Sequence, residues 1–239
     1  YRTVDNKPKV TIIMPVYKTE QYIKETIQSV LKQSYQNIEL LCINDDTPDG
    51  AFEICKEYQK KYPWIRLIEN SKNQGLEFTR NHGLDEMTGD YVLFLDSDDT
   101  ISGDMLEQMV DVAMEEDSDV VMSAYSMVVD GKEEPVLVHP SSSFPQTMDM
   151  RTFAGFLLAP VEWKILCCVG TKLYKSSLIQ QHHLRFDRQY KYNEDGGFIL
   201  SFLQLCQKVS YVNEPFYKYR IRNLSLIHIS EPTRHLRIS

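Results

Sequence analysis

The 239-residue chain has no apolar run approaching the ~18 residues that a membrane-spanning helix needs. No signal peptide is visible at its start, which is Tyr1. It has five cysteines, Cys42, Cys55, Cys167, Cys168 and Cys206, an odd number with no CxxC pair. Most of them sit in apolar runs, where Cys behaves as a small buried hydrophobe, so a reduced compartment fits better than a disulfide scaffold. There is no excess of basic residues: 26 Lys and Arg stand against 34 Asp and Glu, for a net charge of −8. That balance argues against sequence-independent nucleic-acid binding, which needs basic surface, and against a broad polybasic membrane patch. No GxGxxG follows a strand, which disfavours a dinucleotide oxidoreductase. His182 and His183 have no further His at a metal-site spacing and are expected at the surface. No internal repeat or low-complexity segment occurs.

What is present is a regular alternation. Val10–Pro15, Ile38–Ile43, Ile65–Ile68 and Tyr91–Leu95 are short apolar runs that read as buried strands. Helices fall between them. Thr19 is expected to cap one with an Ile23, Ile27, Val30 and Leu31 face. Asp49 is expected to cap another with Phe52, Cys55, Tyr58 and Tyr62 inward, and Gly75–Met87 and Met105–Glu115 are two more. Repeated strand–helix units imply a parallel sheet with right-handed crossovers. Beyond residue 115 the pattern changes. Val120–Val129 and Glu134–Val138 flank Asp130-Gly131, a hairpin signal. Ser141–Pro145 reads as a loop, Asp149 as the cap of a helix through Leu158, Ser176–His182 and Glu194–Gln207 as helices, and Val209–Val212 and Pro215–Tyr219 as separate late strands. The fold class is α/β: a Rossmann-like, mostly parallel sheet flanked by helices, with a mixed α+β second half. The expected organisation is one domain in two halves, 8–115 and 116–225. Residues 226–239, within and around the string SLIHISEPTR, resemble translated sequencing-adapter read-through and are set aside as a non-native tail.

Two predicted strands end in acid. The second runs into Asn44-Asp45-Asp46 and the fourth into Asp96-Ser97-Asp98-Asp99. In parallel α/β sheets this edge binds ligands. Turns and helix caps account for an Asp such as Asp49. They account poorly for three carboxylates packed together, which repel unless a cation neutralises them. Oxygen-only ligands suit Mg²⁺ or Mn²⁺, typically held by one or two carboxylates plus substrate phosphates.

These segments, in this order, resemble family 2 glycosyltransferases of the A-type fold, of the bacterial kind that builds surface polysaccharides. Val10–Tyr17 (VTIIMPVY) is similar to the opening strand and turn, and Ile43–Asp49 (INDDTPD) to a segment often written VDDGSTD. Asn73–Gly89 (NQGLEFTRNHGLDEMTG) followed by Asp90–Asp99 (DYVLFLDSDD) is similar to the longest signature. Lys172–Leu178 (KLYKSSL), Asn193–Phe198 (NEDGGF) and Tyr219–Ser225 (YRIRNLS) complete the match over about residues 8–225. Four departures stand out: Lys18 in place of a frequent Asn, Asn44 of Asp, Asp46 of Gly, and Gly170-Thr171 of Trp-Asn.

The resemblance implies transfer of a sugar, with inversion, from a nucleotide-diphosphate sugar such as a UDP-sugar to a saccharide or lipid-linked acceptor. Pro15, Tyr17, Asn44, Asp45, Arg80 and Asp96 would lie at the nucleotide. Asp45 would contact the base; an exposed helix position is the plain alternative for Arg80. Asp98 would be the direct ligand of Mn²⁺ or Mg²⁺ with Asp96, and Asp99 a second ligand or a residue that orients one. Asp195 would be the base that takes the acceptor proton, supported by Glu194; an acidic helix N-terminus is the plain alternative. Trp163 could stack on an acceptor sugar or be core. The expected location is cytoplasmic, with peripheral contact at the inner membrane face left open. Two rival functions remain at this point. One is a haloacid dehalogenase-like phosphatase with Asp96 as nucleophile, since YVLFLDSDDT also fits DxDxT. The other is a nucleotide-sugar-binding protein without catalysis.

Overall fold

A computed structural model of the chain describes residues 7–129, 132–136, 146–157, 168–187 and 194–221. Strand β1 (Val10–Val16) is buried along its whole length, and β2 (Ile38–Asn44) up to its last residue. Such runs stay apolar throughout because helices cover both faces of a central parallel strand. β1 pairs in parallel with β2 on one side and with β4 (Tyr91–Phe94) on the other, so that Val10 faces Ile38 and Tyr91. β3 (Ile65–Glu69) extends β2 in parallel.

Alternation along β1 divides the core. Val10, Ile12, Met14 and Val16 face one layer, with Ile23, Ile27 and Val30 of α1 (Ile23–Leu31) and Met105, Leu106, Met109 and Val110 of α4 (Met105–Glu116). Phe52 and Cys55 of α2 (Ala51–Gln59) join them. Ile13 faces the other layer with Leu84 of α3 (Leu76–Glu86). Each such fully buried Ile or Leu contributes about 1.5–3 kcal/mol relative to exposure.

The second half of the chain extends the same sheet. β6 (Val120–Val129) and β7 (Lys132–Val136) form the expected hairpin, with Val129 opposite Lys132. β9 (Lys172–Lys175) inserts antiparallel between β4 and β6, and β10 (Lys208–Arg220) runs parallel to β6 on its far side. Short β5 (Thr100–Ile101) and β8 (Thr147–Asp149) pair with β10, giving ten strands in one sheet of order β3-β2-β1-β4-β9-β6-β10-β5 with β7 on β6 and β8 on β10. Helices α5 (Met150–Leu157), α6 (Ser176–Gln181) and α7 (Glu194–Leu203) complete the described residues. From α7, Phe198, Ile199, Phe202 and Leu203 pack into the second layer. Among the described residues no helix is long and apolar enough to cross a membrane.

Several local expectations are corrected. Thr19 does not cap α1 with its side chain; its carbonyl accepts from the Tyr22 and Ile23 N–H groups, so the helix opens at Ile23, and its hydroxyl pairs with Ser97 Oγ at 2.9 Å. The two late strands are one, β10, because register shifts between Val212 and Tyr217 absorb the Asn213-Glu214-Pro215 break. α7 stops at Leu203, short of Gln207, and Tyr62 lies beyond the end of α2. Asp149 does cap α5: the Thr152 N–H donates to its Oδ1 at 2.7 Å. Asp130-Gly131, Ser141–Pro145, Leu158, Trp163 and the 226–239 tail lie outside the described residues.

Candidate active site

Because β1, β2 and β4 are parallel, the residues that follow them reach one edge of the sheet. A cleft of about 450 Å³ opens there, lined by Pro15 near the end of β1 and Tyr17 just past it, Asp45 after β2, Asn73, Gly75, Leu76 and Thr79 at the start of α3, Asp96 and Asp98 after β4, and Tyr219 and Arg220 of β10. Among the described residues five large apolar side chains are notably exposed; Tyr17, Leu76 and Tyr219 are three of them, all at this cleft.

Asp45 is 4% exposed and forms the floor. Its Oδ1 accepts from Asn70 Nδ2 at 2.9 Å and the Gln74 N–H at 2.8 Å, and its Oδ2 from the Gly75 N–H at 2.9 Å. Gly75 has φ of 92°, a left-handed conformation that only glycine adopts without strain, and this lets the loop turn its N–H groups onto the carboxylate before α3 begins. Neighbouring Asn44 is placed differently from expectation. Its Oδ1 accepts from the Thr47 N–H at 2.9 Å, so it serves the turn and is not among the cleft-lining side chains. Two of the departures have a backbone reason. Asp46 and Lys18 have φ of 57° and 54°. At such left-handed positions Gly or Asn costs least, Asp is tolerated, and Lys is strained.

Arg80 is neither an exposed helix residue nor a cleft-lining one. It is 2% exposed, and its Nη2 donates to Asp96 Oδ1 at 3.0 Å and its Nη1 to Asp195 Oδ1 at 2.5 Å. The guanidinium lies 5.2 Å from the Phe186 ring, which stacks on Phe198 of α7 at 4.2 Å. Burial alone would lower its pKa, but the charges of Asp96 and Asp195 outweigh that and hold it above the ordinary arginine value. Arg80 Nε is buried without a partner. Asp195, the first-turn carboxylate of α7 along with Glu194, also accepts from the Val169 N–H through Oδ2 at 3.1 Å and remains 22% exposed. Asp195 and Asp96 thus share one cation, Arg80, although they come from different halves of the chain.

The three acidic residues after β4 take three environments. Asp96 is 35% exposed with one oxygen on Arg80. Asp98 faces the cleft. Asp99 is 1% exposed and points inward: Tyr217 donates to its Oδ2 at 2.6 Å and the Arg220 N–H to its Oδ1 at 2.7 Å. Burial, reinforced by Asp96 and Asp98, pushes its carboxyl well above the usual range, against those two hydrogen bonds. Asp99 is therefore placed to orient the turn, while Asp98 and Asp96 are placed to meet a ligand. Among the described residues no three His, Cys, Asp or Glu side chains converge into a closed metal cage. Two carboxylates at the mouth of an open cleft still fit a hard cation that completes its shell with phosphate and water oxygens.

Sequence reasoning passed over Thr19, Asn73, Leu76, Tyr217, Tyr219 and Arg220. The NQGLEFTR and YRIRNLS segments carried most of them, but only Arg80 was drawn from either. Tyr217 had no local signal, since its partner lies 118 residues away. His182 and His183 are exposed, as expected.

A central parallel sheet with acidic turns after β2 and β4, continued through antiparallel β9 to β6 and β10, whose Tyr219 and Arg220 close one side of the cleft, is the architecture of the A-type glycosyltransferase fold. Comparison with known proteins agrees. Residues 11–180 match Glycosyl transferase family 2. Glycosyltransferase GlyA of Streptococcus pneumoniae serotype 4 is 35% identical over 92% of this chain and 32% of its own length. The minor teichoic acid biosynthesis protein GgaB of Bacillus subtilis (strain 168) is 30% identical over 89% of this chain and 23% of its own length. The structure of S. aureus TarS 1–349 in complex with UDP-GlcNAc superposes with a TM-score of 0.74 at 25% identity, over 90% of this chain and 59% of that one. The chain belongs to glycosyltransferase family 2, and it spans about a third or less of the length of GlyA and GgaB. With that assignment the phosphatase alternative falls: three strand–helix units precede the strand that Asp96 follows, and Asp96 is ion-paired with Arg80.

Proposed function

We propose that the chain moves a sugar from a nucleoside-diphosphate sugar, UDP-linked, to a hydroxyl of a saccharide or lipid-linked acceptor, with inversion at the anomeric carbon and with Mn²⁺ or Mg²⁺ as cofactor. The observation that carries this reading is the cleft itself. At about 450 Å³ it is the size of a nucleotide pocket, and Asp45, Asp96 and Asp98 all line it. The capture of TarS with UDP-GlcNAc supports the choice of UDP. The teichoic acid role in GgaB's name supports cell-surface polysaccharide as the product class. A lipid-linked acceptor would be met at the inner membrane face.

The residues divide the work as follows. Asp45 uses three of the roughly four acceptor positions of a carboxylate on the protein, leaving one for a donor on the base or ribose. Tyr17 and Pro15 flank the same space. Asp98, with the second oxygen of Asp96, would hold the metal ion, which when bound neutralises charge on the departing diphosphate. On the acceptor side Asp195 takes the proton of the attacking hydroxyl. The acceptor oxygen bonds to the anomeric carbon as the bond from that carbon to the diphosphate oxygen breaks, and the electron pair leaves with the nucleoside diphosphate. Arg80 and the Val169 N–H fix both Asp195 oxygens while leaving lone pairs for this proton. Such a base typically contributes ~10²–10⁴-fold. On this reading residues 8–115 supply the donor half and 116–225 the acceptor half.

The test is calorimetric titration of UDP with Mn²⁺, Mg²⁺ or EDTA, followed by a transfer assay with UDP-sugars. Binding should tighten with metal, and Asp98→Ala should remove most of that gain without unfolding the chain. Equal affinity with and without metal would sink the metal-diphosphate reading. A product that keeps the donor's anomeric configuration by NMR would refute inversion, and binding without transfer to any acceptor would favour the non-catalytic alternative.

A further inference from the structure

The turn from Asp96 to Asp99 is held from outside its own strand. Tyr217, in β10, is 1% exposed. Its hydroxyl donates to Asp99 Oδ2 at 2.6 Å and accepts from the Asp96 N–H at 3.3 Å, which satisfies both capacities of the group. Farther along β10 the Arg220 N–H donates to Asp99 Oδ1 at 2.7 Å, and Arg220 Nε donates to the Asp98 carbonyl at 2.9 Å. Both ends of the acidic turn are tied to one strand from the second half of the chain.

A buried tyrosine hydroxyl finds a partner wherever it lies, so pairing alone does not single out Tyr217. Two further observations do. The register of β10 on β6 shifts between Pro215 and Tyr217, and irregularities of this kind re-aim side chains beside active sites. Gly170 supplies the second. A β-carbon there would collide with Tyr217 Cε2, lie 2.8 Å from its Cζ and lie 2.9 Å from the Phe94 carbonyl oxygen. Gly170 is not in the left-handed region, so what the site uses is its small size. Phe94 ends β4, immediately before the acidic turn. Any side chain at 170 is wedged between that backbone and the tyrosine ring.

We propose that Tyr217 is a positioning residue of the metal–diphosphate site. Its hydroxyl fixes Asp99 inward and the Asp96 backbone in place, so that Asp98 faces the cleft, and Gly170 leaves the space its ring requires. This rests on the reading of the cleft as a metal–diphosphate site.

The experiment is calorimetry of UDP binding to the full chain, in Mn²⁺ and in EDTA, for wild type, Tyr217→Phe, Gly170→Ala and Tyr35→Phe. Tyr35 is the control: it is 2% exposed and donates to the Pro8 carbonyl at the opposite edge of the sheet. Loss of the buried hydroxyl that ties Asp99 and the Asp96 N–H predicts that the metal-dependent gain in UDP affinity falls ~10-fold in Tyr217→Phe, while affinity in EDTA is unchanged. Gly170→Ala should show the same loss, and Tyr35→Phe should show none. A full metal gain in Tyr217→Phe overturns the proposal, as does an equal loss in Tyr35→Phe. Should Tyr217→Phe fail to fold, Gly170→Ala decides alone, and an undiminished gain there overturns it. A wild-type chain without any metal gain overturns the reading of the cleft, and this proposal with it.

Discussion

Asp195→Asn keeps the shape of the side chain and replaces one carboxylate oxygen by an NH₂ group. Both oxygens of Asp195 accept from donors held in the fold: Arg80 Nη1 at 2.5 Å and the Val169 N–H at 3.1 Å. An amide satisfies only one of them, and whichever way it is turned its NH₂ faces the other donor. An unsatisfied buried donor costs about 1–3 kcal/mol. The 22% exposure of Asp195 lets water relieve part of this, so the lower half of that range, about 1–2 kcal/mol, is expected. For a chain of this size the melting temperature should then drop by roughly 2–8 °C. Arg80 keeps its contact with Asp96, so UDP affinity in Mn²⁺ should change only modestly. Transfer should fall by ~10²-fold or more, because the amide cannot take the acceptor proton. Glu194→Gln should cost less on both counts, since its place in the first turn of α7 contributes chiefly through the helix dipole, about 0.3–1 kcal/mol.

The assays are a thermal melt, a donor titration and a single-turnover transfer measurement on the same preparations. An unchanged melting temperature would show that Asp195 does not clamp Arg80 and Val169. A transfer rate near wild type would place the base elsewhere, with Glu194 next in line. Collapse of donor affinity would assign Asp195 to the donor site.

Two further predictions concern stability. Glu39 is 3% exposed and accepts hydrogen bonds from Thr11, Thr88, Lys9 and Arg66. Burial would raise its pKa, but those bonds outweigh burial and bring it from 4.5 down to about 2. A depressed native pKa means stability that is present above 4.5 and lost as the pH falls from there toward 2. Urea midpoints should therefore drop across that window, and Glu39→Gln, less stable at neutral pH, should flatten the dependence; parallel curves for the two proteins would refute the assignment. Gly83→Ala places a β-carbon 2.5 Å from Ile13 Cγ2 and 2.8 Å from Ile43 Cδ1, both in the core. Overpacking of about 1–3 kcal/mol should exceed the gain of about 1 kcal/mol in helix propensity, and a raised melting temperature would refute the close approach of α3 to the sheet.

The first half of the fold was legible because buried parallel strands read as mostly apolar runs, broken only by single polar residues such as Thr11, Glu39 and Arg66, and because a parallel sheet sends the residues after those strands to one edge. That logic alone assigns Tyr17, Asp45, Asp96 and Asp98 to one cleft. It failed where order depends on distant partners. β9 carries Lys at both ends, and Lys172 is 1% exposed, so no hydropathy pattern marks it as a buried strand. Asn213-Glu214-Pro215 reads as a turn, yet β10 passes through it because β6 and β5 hold the strand on either side. Arg80 pairs with carboxylates 16 and 115 residues away, and nothing in the weakly amphipathic α3 sequence distinguishes its buried position from an exposed one.

The shared guanidinium has an electrostatic consequence that links these long-range contacts to the chemistry. Asp96 and Asp195 share one buried guanidinium, that of Arg80, and Asp98 lines the cleft with Asp96; Arg220, the arginine that lines the cleft, is paired with Glu25. The two carboxylates on the one guanidinium of Arg80 leave an excess of one negative charge. Placing a diphosphate, itself anionic, beside that excess is unfavourable by Coulomb's law, more so in a cleft where water is partly excluded. A divalent cation held at Asp98 would offset that charge for donor binding and for departure of the diphosphate. Arg80 alone cannot do so, because its two terminal nitrogens are committed to Asp96 and Asp195. On the proposed reading, a need for metal would follow from where the fold places the charge of Arg80: the guanidinium holds Asp96 and Asp195 together, and the neutralisation of the phosphates would be left to the ion.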